Sequence, residues 1–172
     1  HNKLLMIPDI SLLMYHSIGE DVDLEIDVDT EVFERQMKFL KTKGSIISID
    51  EASRLLERGE NLEQQYFVVT FDDGYRNFLT DAYPILKREK IPAILYLNTS
   101  YLEFPDAVPI DDRVGFSKHL QPLSWDDARL LNTDELITIG CHCHLHEELV
   151  RLPDETIKRD IDISLSILGK EL

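Results

Sequence analysis

Two adjacent carboxylates, Asp72 and Asp73, follow an apolar run at residues 66–71 and precede Gly74. Like charges side by side at the end of a buried strand repel each other, and each is costly to remove from water. A bound cation would relieve both costs, because one carboxylate can bind the ion while its neighbour faces a substrate. The alternative is a simple turn, since Asp-Gly is common turn chemistry.

A second group of chemically capable residues is the segment HCHLH at 142–146, which holds three of the six histidines. His142 and His146 would share one face of a helical turn and could chelate one metal. In an extended chain, His142, His144 and His146 would share a face instead. Two other interpretations stay open, a chance cluster on a solvated loop and a structural zinc site that uses the thiols of Cys141 and Cys143. A structural site usually draws ligands from two separated clusters, and the sequence has no second cysteine pair.

Together the two segments supply one aspartate and two histidines, with a coordination position left for water. That donor set is typical of catalytic metal sites, in which the ion lowers the pKa of its water towards ~7. A second carboxylate beside the site can take the proton from that water. The pattern therefore favours metal-assisted hydrolysis of an amide or an ester.

Short apolar segments that alternate with helical patterns must position these residues. Strands are predicted at 10–15, 45–49, 66–71, 93–97 and 136–140, and helices at 30–43, 50–58, 77–89 and 125–131. The apolar face of a last helix is predicted to consist of Ile157, Ile161, Leu165 and Leu168. This alternation favours a parallel sheet with helices outside, either open or closed as a barrel. In such folds the chemistry lies at the carboxyl ends of the strands, which selects His16 as well as the two segments above.

Several residues between these elements predict where helices begin and end. Asp50 is a candidate N-cap, Gly59 a candidate helix end, and Ser124 with Asp127 an approximate capping box. Residues 98–123 contain prolines and are predicted to form a long connection, which often means a functional loop.

The composition narrows the class of protein and its partners. The chain has 172 residues, 43% of them hydrophobic, and this suits one globular domain over residues 1–172. Its net charge of −15 disfavours nucleic acid and anionic lipid as partners, whereas a neutral or cationic substrate fits. No apolar run is long enough to predict membrane insertion, and this chain shows no signal peptide.

The motifs resemble those of a known family, the polysaccharide deacetylases, which contain the NodB-homology domain of carbohydrate esterase family 4. TFDDG at 70–74 resembles the family's first motif, and HCHLH at 142–146 resembles its His-Ser/Thr-x-x-His motif. Cys143 stands where that motif has Ser or Thr, and His144 is an additional imidazole. MYHSI at 14–18 is similar to the first-strand signature of one branch, and the segments 33–44, 82–93 and 123–131 are similar to the family's intervening helices.

The resemblance implies a distorted (β/α) barrel that removes N-acetyl groups from an acetamido-sugar polysaccharide or oligosaccharide. By position, Asp72 matches the family's general base, and Asp73, His142 and His146 match its metal ligands. One divalent metal is implied, with Zn²⁺ as the first choice and Co²⁺ or Ni²⁺ as alternatives. The family's later motifs supply a histidine acid and a substrate groove. We therefore expect this chain to be incomplete at its C-terminus and to comprise the N-terminal and central part of the domain.

Further residues could contribute to such a site. His16 could bind substrate, take the role of the acid, or simply be hydrogen-bonded at a strand end, and Tyr75 could line the pocket or belong to the core. Other candidates for a sugar-binding wall or groove, each with a simpler structural explanation, are Trp125, Tyr101, Phe104, Asp111 and Asp112. The resemblance also implies an acetylated glycan as partner and export to the cell surface or periplasm.

Two other functions stay open as alternatives. A non-catalytic glycan-binding or accessory module would keep the deacetylase fold, lack the general acid, and bind acetylated oligosaccharide without releasing acetate. A structural zinc domain would use Cys141 and Cys143, and alkylation of its thiols would remove the metal. The sequence does not identify the glycan or the oligomeric state.

Overall fold

The computed structural model describes residues 9–19, 26–59, 61–105 and 120–172. Most strands alternate with helices along the chain, as the sequence pattern predicts, but two short strands that were not predicted follow the first one. The strands are β1 (Ile10–Tyr15), β2 (Ser17–Ile18), β3 (Asp27–Val28), β4 (Ser45–Ile46), β5 (Tyr66–Phe71), β6 (Ala93–Leu97) and β7 (Ile137–Cys141). The helices are α1 (Thr30–Lys41), α2 (Ile49–Arg58), α3 (Tyr83–Glu89), α4 (Thr99–Glu103), α5 (Trp125–Asn132) and α6 (Asp154–Glu171). A π-helical turn (Phe78–Ala82) precedes α3, and a 3₁₀ turn (Leu149–Arg151) precedes α6.

A parallel sheet in the order β1-β5-β6-β7 forms the centre of the fold, and the short β4 pairs with the start of β5. Tyr15 pairs with Phe71 at the end of β1 and β5, and Leu97 pairs with Cys141 at the end of β6 and β7. The carboxyl ends of these strands therefore lie along one edge of the sheet, where His16, Asp72 and His142 follow. β2 and β3 form a separate two-stranded sheet.

The main core packs the helices against this sheet through an aromatic cluster. The ring centroids of Tyr15 and Phe33 are 5.1 Å apart, and those of Phe71 and Phe78 are 4.8 Å apart. All four rings are buried, and aromatic pairs in such edge-to-face geometry stabilise a core beyond their buried area. The cluster fixes the last residues of β1 and β5 beside each other, just before the residues of chemical interest. A smaller cluster, centred on Val68, is covered by α2.

The helix ends confirm some of the predicted caps and correct one. Gly59 ends α2 in the left-handed conformation, and Ser124 with Asp127 forms the complete capping box of α5. The prediction of Asp50 as N-cap was wrong, because Ser48 accepts the hydrogen bond from the amide of Glu51. The cap therefore lies two residues earlier than predicted, and α2 begins at Ile49. The shift leaves β4 only two residues long, against the predicted segment 45–49.

The connection at 98–123 is partly helical, which the sequence did not predict. Asn98 caps α4 by accepting a hydrogen bond from the amide of Tyr101. Near the other end of the connection, the amide of Leu123 donates to the carbonyl of Gly74, which holds the chain beside the Asp-Asp-Gly turn. Asp111 and Asp112 lie outside the described residues.

The last helix, α6, exposes part of the apolar face that its sequence predicts. Leu165 is 52% exposed, whereas Asp160 and Ser164 are buried. The face of α6 that meets the rest of the protein therefore contains two polar side chains, and their partners lie beside the candidate site. None of the described helices combines the length and the apolarity needed to cross a bilayer.

Candidate metal centre

The Asp-Asp-Gly turn separates two neighbouring carboxylates into different environments. The amide of Asp72 continues the pairing of β5 by donating to the carbonyl of Tyr15 at 2.9 Å. The backbone then turns through left-handed φ values of 71° at Asp73 and 82° at Gly74. A Cβ atom at position 74 would lie 2.7 Å from a methyl group of Leu97 and would displace that side chain, so the contact adds to the preference for glycine that the φ value sets. The result is that Asp73 is buried, at 3% exposure, while Asp72 stays partly accessible.

Residues 142–146, the histidine loop, follow β7 and fold back on themselves. The amide of His142 donates to the carbonyl of Leu97, which continues the sheet by one hydrogen bond. Cys143 and His146 then adopt φ values of 62° and 54°. This folding brings the rings of His142 and His146 to a centroid separation of 5.2 Å. The loop therefore presents the first and last of its three histidines on the same side.

Asp73, His142 and His146 meet at one point. The Oδ1 atom of Asp73 lies 3.3 Å from Nε2 of His142 and 3.0 Å from Nε2 of His146. One ligand atom from each of the three residues can be chosen so that all lie within 4.8 Å of one another. Asp73 Oδ1 is buried and has no hydrogen bond of normal geometry, despite these two close approaches. A buried carboxylate oxygen that faces two imidazole nitrogens fits a divalent cation, and this donor set matches zinc sites with three protein ligands.

The pKa values of the two aspartates are shifted in opposite directions. Burial alone would raise the pKa of Asp73, but the close approach of the imidazoles of His142 and His146 outweighs it and holds that pKa well below its ordinary value. For Asp72, burial is the largest influence and raises its pKa, although the imidazoles of His142 and His16 oppose this effect. Asp73 therefore stays ionised and is suited to bind a cation, whereas Asp72 is suited to accept a proton.

The third histidine of the loop points elsewhere. His144 Nδ1 lies 2.9 Å from the hydroxyl of Thr99, which is on α4. The extended arrangement, with all three histidines on one face, is therefore not the one that the structure adopts. Cys141 and Cys143 are free thiols, and the cluster of possible ligands found among the described residues contains neither.

His16 and Tyr75, two of the other candidates named from the sequence, lie close enough to the aspartates to interact with them electrostatically. The position of His16, at the end of β1, allows its imidazole to lower the pKa of Asp72. Burial, followed by the negative charge of Asp73, raises the pKa of Tyr75, so its hydroxyl stays protonated at neutral pH. Tyr75 also forms an isolated bridge with Pro122.

Tyr96 and Asp160 lie near the centre and were missed by the sequence analysis, whereas Tyr101 was named there as a candidate for a sugar-binding wall. Tyr101 is buried, and its ring centroid lies 5.7 Å from that of His146. Tyr96 on β6 is close enough for Asp72 to raise its pKa further, after burial. Asp160 on α6 accepts hydrogen bonds from the histidine loop. In the sequence, Asp160 is a charged residue on the same predicted helix face as Ile157 and Ile161. This unusual position is the signal that could have revealed it.

Comparison with known sequences identifies relatives. The family profile described as Polysaccharide deacetylase matches residues 59–170. YxkH of Bacillus subtilis (strain 168), whose name refers to the same activity, is 35% identical over 89 residues, which are 51% of this chain and 31% of that protein. The poly-beta-1,6-N-acetyl-D-glucosamine N-deacetylase of Escherichia coli K12 is 30% identical over 140 residues, which are 76% of this chain and 20% of that protein. The chain thus spans less than a third of the length of either relative.

Comparison with solved structures supports the fold. The deacetylase PplD of Streptococcus pyogenes, in complex with acetate, matches with a TM-score of 0.76 and 23% identity, over 95% of this chain and 69% of that chain. The likeness confirms the predicted fold class, the distorted (β/α) barrel type with a parallel sheet inside and helices outside.

Proposed function

Since this chain belongs to the polysaccharide deacetylase family, we propose that it is a metal-dependent hydrolase that removes N-acetyl groups from an acetamido-sugar polysaccharide or oligosaccharide. The observation that carries the proposal is the meeting of Asp73, His142 and His146 beside a second carboxylate, Asp72, whose pKa is shifted the other way. Perturbed ionisable groups that converge at the carboxyl edge of a parallel sheet are characteristic of catalytic sites.

Asp73, His142 and His146 are proposed to hold one divalent metal, with Zn²⁺ as the first choice and Co²⁺ or Ni²⁺ as alternatives. When bound, the ion supplies Lewis acidity, which polarises the acetamide carbonyl and lowers the pKa of water. Tyr75, which lies close enough for the charge of Asp73 to raise its pKa, is proposed to support the arrangement by keeping a protonated hydroxyl near this carboxylate.

Asp72 is proposed as the general base. It is adjacent to the ligand Asp73 but more accessible, so that it can take a proton from water as that water attacks the carbonyl carbon. The C–N bond then breaks, acetate leaves, and the sugar amine takes up a proton. His16, beside Asp72, is available to give that proton or to bind the substrate.

The substrate is proposed to be a glycan that contains N-acetylated amino sugars. The named activity of the Escherichia coli relative makes oligomers of β-1,6-linked N-acetylglucosamine the first to test. The net charge of −15 suits this class, because the substrate is neutral and each deacetylation creates a cationic amine. By the same resemblance, we propose that the protein acts at the cell surface or in the periplasm.

Metal content is the first test of this proposal. We expect about one zinc, cobalt or nickel ion per chain in the purified protein by plasma mass spectrometry, in keeping with a single three-ligand site. The His142→Ala variant should lose the metal, and the wild type should release acetate from N-acetylglucosamine oligomers. Absence of metal after reconstitution would contradict the proposal. Binding of acetylated oligosaccharide with metal present but without acetate release would favour the accessory-module alternative.

A further inference from the structure

The carboxylate of Asp160 on α6 is directed at the backbone of the histidine loop. Its Oδ2 atom accepts a hydrogen bond from the amide of His144 at 2.8 Å, and its Oδ1 atom accepts one from the amide of Leu145 at 3.0 Å. The residue is only 7% exposed. Hydrogen bonds from amides to a carboxylate are stronger than those between neutral groups, particularly where water is excluded.

Other groups on α6 and α4 also form hydrogen bonds with the backbone of the loop. Ser164, one turn further along α6, donates its hydroxyl to the carbonyl of Cys143 at 2.9 Å. Asn98, the N-cap of α4, donates its side-chain amide to the carbonyl of His142 at 3.3 Å. The amide of Ser100 donates to the carbonyl of His144 at 3.3 Å. The backbone of the loop is thus fixed from two helices that are distant in sequence.

The conformation of the loop explains why it needs such support. Cys143 and His146 both have left-handed φ values, which are unfavourable for residues other than glycine. Residues in such conformations persist only where the surrounding structure determines them. His146 follows directly after the two amides that Asp160 accepts, so the direction of its imidazole depends on how they are held.

We propose that Asp160 is a positioning residue that locks residues 143–146 and so directs the imidazole of His146 at Asp73. The inference rests on the proposed function, because His146 is there a ligand of the metal. The two amides that Asp160 accepts belong to consecutive residues of one short loop.

Two substitutions and two controls test this role. Asp160→Asn keeps the size of the side chain but turns an NH₂ group towards one of the two amides, whereas Asp160→Glu keeps the carboxylate. Asp162→Asn alters an exposed acid on the same helix, which pairs only with Lys158 among the contacts described. Leu168→Ala removes packing between α6 and the main core without changing a partner of the histidine loop.

The primary readout is the zinc affinity of each variant, measured by competition with a chromogenic chelator. We expect Asp160→Asn to bind zinc about 10- to 100-fold more weakly, as is usual when a group that orients a ligand is removed. Asp160→Glu should recover part of that affinity, and Asp162→Asn should match the wild type. Wild-type affinity in Asp160→Asn would overturn the inference. So would an equal loss in Leu168→Ala at a matched decrease in melting temperature, since the effect would then be one of general stability.

A second readout needs no metal and no substrate. Hydrogen exchange of the His144 and Leu145 amides in metal-free protein should be slow in the wild type and faster in Asp160→Asn, while the amides of the central strands stay protected. Equal exchange in the two proteins would overturn the inference. A wild type that binds zinc but releases no acetate would contradict the deacetylase proposal and leave the role of Asp160 intact, so the two failures are distinguishable.

Discussion

The Nε2 atom of His146 lies 3.0 Å from the Oδ1 atom of Asp73, and this approach joins the turn after β5 to the loop after β7. The two strands are not neighbours, since β6 lies between them in the sheet. The site can therefore form only when the three strands and the loop are all in place. Metal binding at this site should consequently depend on the native fold.

Replacement of Asp72 by asparagine should separate metal binding from turnover. Asp72 is not among the residues that meet at Asp73 Oδ1, so the metal should be retained. Loss of a general base usually lowers the rate by about 10²–10⁴-fold, because Asp72 no longer assists removal of the proton from the attacking water. Metal content by mass spectrometry and acetate release from N-acetylglucosamine oligomers test both halves. Normal turnover in Asp72→Asn would remove Asp72 as the base.

His146 and His144 should respond differently to truncation. His146→Ala should abolish stoichiometric metal binding, because it deletes one of three ligands. His144→Ala should retain the metal, because its imidazole contacts the hydroxyl of Thr99 rather than Asp73. The measurement is the zinc-to-protein ratio after reconstitution and desalting. The reverse result would mean that the histidine loop rearranges when the ion binds.

The cysteines should be dispensable for metal binding. Neither thiol belongs to the cluster of Asp73, His142 and His146, so Cys141→Ser and Cys143→Ser should both keep their zinc. Burial, followed by the charge of Asp160, raises the pKa of Cys143 to about 11, so its thiol should react slowly with iodoacetamide at neutral pH. Release of zinc on alkylation of the native protein would instead support the structural zinc domain.

Asp72 and Asp73 should titrate on opposite sides of the ordinary aspartate pKa, about 3.9, in metal-free protein. The pKa of Asp73 is lowered, so its ionised form stabilises the fold above about pH 4, and this contribution is lost as the pH falls through its folded pKa. The pKa of Asp72 is raised, so its ionisation costs stability above its folded pKa, and the cost disappears on acidification.

Carboxyl ¹³C chemical shifts followed against pH measure this separation directly. The Asp73→Asn variant tests the cause of the Asp72 shift, because the charge of Asp73 is one of the influences that raise the pKa of Asp72. The Asp72 signal should therefore titrate at lower pH in that variant. A higher pKa for Asp73 than for Asp72 in the wild type would contradict the assignment of ligand and base.

Gly140 and Gly169 form a matched pair for a stability test. A Cβ atom at position 140 would lie 2.5 Å from the ring of Tyr96, whereas one at position 169 would meet nothing within 4 Å. We expect Gly140→Ala to lower the free energy of unfolding by about 1–3 kcal/mol and to displace the Tyr96 ring. Gly169→Ala, in the last turns of α6, should raise it by about 0.5–1 kcal/mol. Urea denaturation of the metal-free variants gives both values.

Much of the fold was predictable because local signals agreed with the final packing. β1, β5 and β6 have the predicted bounds, and β7 differs from its prediction by one residue at each end. α4 was not predicted, because its five residues are too few to show helical periodicity. On α6, the predicted apolar face was right in part, since Leu168 packs against the core but Leu165 is exposed. Asp160 and Ser164 are buried because they have partners in the histidine loop, which a local pattern does not reveal.

The candidate site was predictable in its residue types but not in its geometry. A strand that ends at Asp72 and Asp73, and another that ends at the histidine loop, were visible as sequence patterns. Which histidines would face Asp73 depended on the left-handed φ values of Cys143 and His146, which the residue types do not dictate. The choice between a helical turn and an extended loop therefore required the three-dimensional structure.

The left-handed conformations of Asp73 and His146, with φ values of 71° and 54°, also limit how the site can change during evolution or redesign. Aspartate, asparagine and histidine accept this conformation several-fold more often than other residues with a Cβ atom. A thiolate ligand that would suit softer metals meets a backbone penalty at both positions. His142 has no such backbone restriction, so altered metal preference should arise there first.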